Sequence, residues 1–359
     1  MIDLAPKILE YKLKRRLNWP RVLPMNITIS VSYKCNSRCR TCNVWRKISE
    51  ELVLKEWDEV FRSLGRTPFW FTVSGGEPFL RKDLVEIVKS IYKNCRPGVI
   101  NIPTNGLLYN QIPQKVKEIV KNCPKSQIIV NLSIDGIREK HDAIRGIPGN
   151  FDKAMRTYRA LKKLKYPNFT LGIHTVISKF NVDKIPKIYQ YLIKLKPDSY
   201  VTEIAEERVE LGTDGLDITP SQEKYSKAID FLIKELKKRK FKDISKITQS
   251  FRTEYYQNVK RILRDKSQVI PCYAGIASAQ IAPNGDVWSC CIRVDVLGNL
   301  KENDFDFKKI WFSKRADEIR KDIKSKKCYC PMANVSYTNM LCDLRTLTRL
   351  TSKIIKGDK

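Results

Sequence analysis

From about residue 25 to about residue 215 the chain alternates short β-branched and aliphatic runs with longer stretches whose apolar positions recur every three or four residues. The runs are Ile27 to Val31, Trp70 to Val73, Val99 to Ile102, Ile128 to Leu132, Leu171 to Ile177 and Tyr200 to Ile204. Between them lie the helical stretches Leu54 to Leu64, Leu84 to Asn94, Gln114 to Asn122, Phe151 to Lys165 and Val182 to Leu195. This alternation predicts consecutive right-handed βα units on a parallel sheet. Six units fall short of a closed eightfold barrel, so the expected class is α/β, a partial (β/α)6 barrel. In such sheets ligands gather at the carboxyl ends of the strands, and the loops after each run are where chemistry is expected.

The texture then changes twice. Residues 216 to 269 are helical and basic, with Pro220-Ser221 opening a run through Lys240, and read as a connector. From Pro271 short strands and turns take over (Gln280 to Ala282, Asn284-Gly285, Val287-Trp288), followed by a helix near Ile310 to Ile323 and a Cys-rich loop. The expected division is a basic N-terminal helix (1–24), a core barrel (25–215), the connector (216–269), a small α+β domain (270–345) and a basic tail (346–359).

Composition narrows the class. The 359 residues carry 68 Lys+Arg against 39 Asp+Glu, a formal charge of +29, which favours an anionic partner such as nucleic acid, an anionic lipid surface or an acidic substrate. Lysines lie all round the helices, and no groove with interleaved aromatics supports nucleic acid. No run reaches the roughly 18 to 20 apolar residues of a spanning helix, and no secretory signal opens the chain, so a cytoplasmic location is expected. Met1 to Pro24 holds six Lys/Arg and an apolar stripe (Ile2, Leu4, Ile8, Leu9, Leu13, Leu17). Such a helix either lies on an anionic membrane, making the protein peripheral to it, or packs across the outside of its own barrel.

Eleven cysteines without a secretion signal argue for free thiols serving metal or catalysis. Cys35, Cys39 and Cys42 fall within eight residues in the loop after the first strand. Three thiolates on one short loop hold three irons of a cubane cluster and leave the fourth open to a substrate or cofactor. A structural zinc wants four ligands, and no Cys or His follows nearby to supply the fourth. A second group, Cys272, Cys290, Cys291, Cys328, Cys330 and Cys342, lies near the C-terminus. Cys95 and Cys123, at helix ends, read as small buried residues.

The order of motifs at successive strand ends resembles the radical S-adenosylmethionine (SAM) superfamily over roughly residues 25 to 215. The loop Cys35-x3-Cys39-x2-Cys42 follows the first strand and Gly75-Gly76-Glu77-Pro78 the second. Thr104-Asn105-Gly106 follows the third strand. Ser133-Ile-Asp135-Gly136 follows the fourth, with His141-Asp142 and Arg145-Gly146 after it. The branch it is most similar to contains molybdopterin-precursor cyclases and peptide- or protein-modifying maturases.

This resemblance implies a [4Fe-4S] cluster that binds SAM, and an external one-electron donor of flavodoxin or ferredoxin type. It also implies reductive cleavage of SAM to a 5′-deoxyadenosyl radical that takes a hydrogen atom from a substrate. A peptide or protein substrate is expected first, a lipid or glycolipid next. Gly75 and Gly76 would let backbone approach the cofactor, Glu77 would receive the methionine ammonium, and Ser133 and Asp135 would bond the ribose or carboxylate. Thr104 and Asn105 divide between turn chemistry and cofactor contact, and Asn181 would reach the ribose. The family's aromatic before the third cysteine is replaced by Thr41, with Trp45 as the available substitute.

The C-terminal cysteines resemble the SPASM or shorter twitch extension, implying one auxiliary [4Fe-4S] cluster on Cys272, Cys290, Cys328 and Cys330. Cys342 or Cys291 stands as an alternative ligand, and a zinc ribbon on the same thiols as the alternative metal. The class outside catalysis is an iron–sulfur electron carrier or zinc-binding scaffold. With only two histidines, His141 is expected to orient its loop, and His174 divides between a core role and a substrate contact. Glu203, Glu206, Glu207 and Glu210 read as a solvated helix face, or as the source of a general base.

Overall fold

The computed structural model describes residues 4–239 and 243–356; the extreme ends of both basic termini and the end of the run through Lys240 lie outside the described residues. The helices are α1 (Leu4–Leu17), α2 (Leu54–Leu64), α3 (Leu84–Cys95), α4 (Ile112–Asn122), α5 (Glu139–Arg145), α6 (Asn150–Lys162), α7 (Ile185–Ile193), α8 (Gln222–Lys237), α9 (Asp243–Asp265), α10 (Phe307–Trp311), α11 (Lys314–Lys324), α12 (Ala333–Cys342) and α13 (Leu344–Lys356). The strands are β1 (Asn26–Ser32), β2 (Trp70–Gly75), β3 (Val99–Thr104), β4 (Gln127–Ser133), β5 (Phe169–Ile177), β6 (Ser199–Ile204), β7 (Ser278–Ile281), β8 (Asp286–Trp288) and β9 (Val296–Asn299).

They form one nine-stranded sheet ordered β6-β5-β4-β3-β2-β1-β7-β8-β9. The first six strands are parallel neighbours in chain order, the partial (β/α)6 TIM-like barrel that the alternation predicts. The small α+β region is not a separate sheet. β7 pairs parallel with β1, Asn26 against Ser278, and β8 and β9 continue antiparallel.

Successive side chains on a strand face opposite ways, and the two faces here differ in chemistry. Ile27, Ile29, Phe71, Val73, Ile100, Ile128, Val130, Leu171 and Ile173 face outward into one core with Trp57, Phe61, Ile87, Val116 and Leu161 from the helices. The alternate positions, Thr28, Ser30, Thr72, Asn101, Asn131, Ser133, His174 and Glu203, face the lumen. A closed barrel of this type fills its interior with branched aliphatics; here the lumen is polar and half-buried.

α1 packs on α12 and buries Tyr11, whose hydroxyl donates to Leu23 O at 2.9 Å. Lys14 is 5% exposed and sits 3.6 Å from Asp317, and Arg15 Nε donates to Cys272 O at 3.1 Å. The helix packs on its own chain through Tyr11 and Lys14, while Leu9 and Leu17 of the apolar stripe stay exposed. No helix among the described residues is long and apolar enough to cross a membrane.

Candidate functional site

The first cysteine loop leaves β1 at Ser32 and is moulded by its neighbours. Gly76 N donates to Ser32 O at 2.8 Å and Glu77 N to Lys34 O at 2.9 Å. From the far side Arg38 N donates to Arg145 O and Arg40 N to Ile144 O, both at 2.9 Å. A Cβ on Gly76 would fall 2.2 Å from Lys34 O, and one on Gly146, where φ is +69°, 2.1 Å from Arg38 O. Only glycine fits such approaches. The close contact that Gly76 permits here is therefore with the cysteine loop itself, and Gly75 stands in the same relation to Ser32.

The three thiols are near enough for each ionisation to burden the next. Burial, with Cys39 adding to it, pushes the Cys35 thiol up to about 11, and burial with Cys39 and Cys35 pushes Cys42 to about 12. Such thiols ionise when a metal binds them. Donors already point at the sulfurs: Ser37 N to Cys35 Sγ at 3.4 Å, Asn105 Nδ2 to Cys35 Sγ at 3.9 Å and Arg145 Nη1 to Cys39 Sγ at 3.6 Å. Among the described residues no three His, Cys, Asp or Glu side chains converge on one ion position. Sulfurs on separate corners of a cubane need no such convergence, so three thiols with N–H donors fit an iron–sulfur cluster. Trp45 lies on this loop between two guanidinium groups, Arg38 at 4.4 Å and Arg46 at 4.8 Å from its ring.

Glu77 is buried where the ends of β2 and β3 meet. Its carboxylate accepts from Phe79 N at 3.2 Å, Thr104 Oγ1 at 2.8 Å and Asn105 N at 2.7 Å. Burial still outweighs these donors and holds its carboxyl near 7. Thr104 and Asn105 also close their turn, accepting from Gly106 N at 3.1 Å and Leu107 N at 2.9 Å, and Asn105 Nδ2 donates to Asn36 Oδ1 at 2.7 Å. Ser133 ends β4 on the lumen face, in register with His174.

Asp135 is turned to the protein. Oδ1 accepts from Val176 N at 2.8 Å, and Oδ2 makes a 2.8 Å ion pair, without an aligned hydrogen bond, to Arg145 Nε. Asn181 donates to Asp135 O at 2.9 Å and Val176 O at 2.8 Å and accepts from Ser178 N at 2.8 Å. His141 orients its loop, as the sequence suggests: Nδ1 accepts from Asp135 N at 3.1 Å and Nε2 meets Asn150 Oδ1 at 3.0 Å.

The second group also assembles. Burial, then the charges of Cys290 and Cys328, pushes Cys272 to about 12, and Cys330 is raised by burial with Cys272 and Cys290 among its neighbours. The other two candidate ligands face elsewhere. Cys291 Sγ lies 3.1 Å from Met332 Sδ, towards Arg208 and Glu210, and Cys342 lies beside Tyr11 and Tyr273 in the outer core. Cys95 and Cys123 are buried.

The acidic stretch departs from the expected solvated helix face. Residues 205–211 form an irregular loop that folds back over the lumen, with Glu206 and Glu210 each 8% exposed. Arg208 Nη2 reaches Glu206 Oε1 at 2.9 Å and Glu203 Oε2 at 3.7 Å, and Glu203 Oε1 lies 3.7 Å from His174 Nε2. Glu210 accepts from Ser30 Oγ at 3.1 Å and from Gln280. Burial pushes the Glu206 carboxyl to about 7 and raises Glu210. The partners of Glu210 come from β1 and β7, which no local pattern reveals.

Comparison with known proteins bears on both thiol groups. Residues 29–192 match the radical SAM superfamily, and residues 272–331 match SPASM, described as an iron–sulfur cluster-binding domain. The chain is 33% identical over 170 residues to the Fe-coproporphyrin III synthase of Methanosarcina barkeri, covering 45% of this chain and 39% of the synthase. It is 26% identical over 245 residues to a probable GTP 3′,8-cyclase of Methanococcus maripaludis, covering 67% of this chain and 73% of the cyclase. The fold is similar to that of Streptococcus suis SuiB bound to its precursor peptide SuiA, with TM-score 0.62 and 17% identity over 88% of this chain and 70% of SuiB. With the three-thiol loop inside the first matched region and the four-thiol group inside the second, the chain belongs to the radical SAM superfamily and carries a SPASM domain.

Proposed function

We propose that this chain binds SAM at the Cys35, Cys39 and Cys42 cluster and uses it to take a hydrogen atom from a peptide or protein substrate in the lumen. The observation that carries the reading is a polar, half-buried barrel interior with one thiol set in the loop after β1 and the other in the loops before β7, after β8 and before α12. With SAM bound, the cluster held by Cys35, Cys39 and Cys42 would supply one-electron reductive chemistry leading to hydrogen-atom abstraction. The chain's part is to position and to exclude water.

Gly75, Gly76, Glu77, Thr104, Asn105 and Ser133 sit at the ends of β2, β3 and β4 around the cysteine loop, where they would hold the cofactor. Glu77 would meet the ammonium group, and its buried carboxylate would then be fully ionised beside a positive charge. Cys272, Cys290, Cys328 and Cys330 would hold the auxiliary cluster, which would take an electron from the substrate or bind it. The electron that starts the reaction would come from a flavodoxin- or ferredoxin-type donor. On the substrate side, Glu203, Glu206, Arg208 and His174 offer both charges and a proton-accepting carboxylate held near neutrality.

A peptide is favoured over a lipid on two grounds. The basic helix α1, the main reason to expect a lipid surface, is packed on its own chain. The similar fold of SuiB was determined with a precursor peptide bound. The test compares the peptides, lipids and small metabolites of a strain lacking this protein with those of its parent. A peptide that differs in mass by gain or loss of hydrogen atoms is expected; a difference confined to lipids or small metabolites would contradict the peptide reading.

A further inference from the structure

The cysteine loop carries a charge pattern that holding a cluster does not require. Residues 34–47 contain five cations, Lys34, Arg38, Arg40, Arg46 and Lys47, and no Asp or Glu. Four of them are exposed and Lys47 is half-buried. Lysines on the helices have carboxylates at hand, as Lys224 has Asp183, Lys227 has Glu223 and Lys260 has Asp230. On this loop only Lys34 meets one, Glu51 at 3.7 Å, and among the described residues no ion pair forms at the other four. Rings and carbonyls hold those four instead. Arg38 and Arg46 lie 4.4 Å and 4.8 Å from the ring of Trp45, and Arg40 lies 3.8 Å from that of Phe180. Arg38 Nη1 donates to Cys35 O at 2.7 Å and Ser37 O at 2.9 Å, and Lys47 Nζ donates to Val209 O at 3.0 Å. The adjoining stretch carries Glu207, Asp214 and Asp217, yet Glu207 accepts from Gly215 N, Asp217 pairs with Lys179, and none of the three pairs with the loop. The cations are thus ordered before any partner arrives, and their charge is not neutralised.

We propose that this cationic rim is the docking surface for an acidic one-electron carrier protein, which passes its electron to the cluster held by Cys35, Cys39 and Cys42. Lys34 precedes Cys35, and Arg38 and Arg40 flank Cys39, so a partner seated on them stands against the residues that hold the cluster. Complementary charge speeds such an encounter and orients it. A small, weak interface suits a carrier that must leave after each delivery. One electron crosses per encounter: the carrier is oxidised by one, the cluster is reduced by one, and no bond forms or breaks. This docking role rests on the reading of the cysteine loop as a cluster site and is independent of the substrate.

The probe is a flavodoxin of net negative charge. Its binding to the full-length, anaerobically reconstituted protein is measured by biolayer interferometry, and electron transfer by stopped-flow absorbance of the flavodoxin hydroquinone. A double variant, Lys34→Glu with Arg46→Glu, reverses one charge on each side of the cysteines. It should bind flavodoxin and oxidise it about tenfold more weakly and slowly at low salt. Lys34→Arg with Arg46→Lys should match wild type, and added salt should weaken wild-type binding more than that of the charge-reversed protein. Dithionite should reduce the cluster to the same extent in all three, read by EPR. If the double variant takes up no iron, Arg46→Glu alone decides. A wild-type protein that does not bind flavodoxin, or one whose binding survives charge reversal unchanged, would overturn the proposal. So would an equal loss of dithionite-driven SAM cleavage in the charge-reversed protein, which would place these cations on the cofactor or an acidic substrate. A wild-type protein that binds and oxidises flavodoxin but leaves SAM intact would contradict the catalytic reading and support the docking surface.

Discussion

Glu77 joins three pieces of chain through one carboxylate, and its three donors leave no room for a donor in its place. Glu77→Gln keeps the shape but turns an amide NH2 towards one of those donors. Leaving a buried group unsatisfied costs about 1–3 kcal/mol, so denaturant unfolding of the cluster-free protein should show a loss of that size; an unchanged midpoint would mean that the carboxylate is not held as described. Glu206 makes the companion prediction for pH. Its carboxyl is raised from 4.5 to about 7 by burial, so the folded state binds its proton more tightly than the unfolded state. The stability this gives is complete below about 4.5 and is lost as pH rises through 7. Glu206→Gln should therefore gain on wild type by roughly 2–3 kcal/mol between pH 5 and pH 8. His141, lowered to about 4 by burial, works in the opposite sense in both proteins and cancels from the comparison. A stability difference that does not change with pH would show Glu206 ionised throughout.

α5 and the cysteine loop are joined by backbone hydrogen bonds on either side of Cys39. Gly146→Ala puts a methyl group 2.1 Å from Arg38 O at a backbone φ of +69°, so the loop carrying Cys39 must move. Reconstituted wild type should hold about eight irons in two four-iron clusters, and Gly146→Ala about four; full iron content in the variant would contradict the mould that α5 provides. The six strands and the order of their loops were legible in sequence because each is a short apolar run, the first five closed by Gly, Asn or Ser. α5 was not, since seven residues between turns give too short a period to read. The addition of β7 to β1 pairs residues some 250 positions apart, and Glu210 is held by Ser30 and Gln280, which meet across that joint. Long-range partners leave no local trace. The resemblance to a SPASM extension singles out Cys272, Cys290, Cys328 and Cys330, whereas only the structure shows Cys291 and Cys342 facing elsewhere.

At the scale of the whole molecule, a chain with formal charge +29 keeps acidic groups inside its lumen and lysines outside. The excess of lysine therefore describes the surface, and the lumen carries a different balance of charge. Sheet, lumen and both thiol groups make sense together only if the first cluster has a corner free for SAM. The most direct measurement is the release of 5′-deoxyadenosine and methionine from SAM by the anaerobically reconstituted protein with dithionite. The wild-type protein should release both, and a Cys39→Ala variant neither. A reduced, SAM-bound wild-type protein that leaves SAM intact would contradict the account.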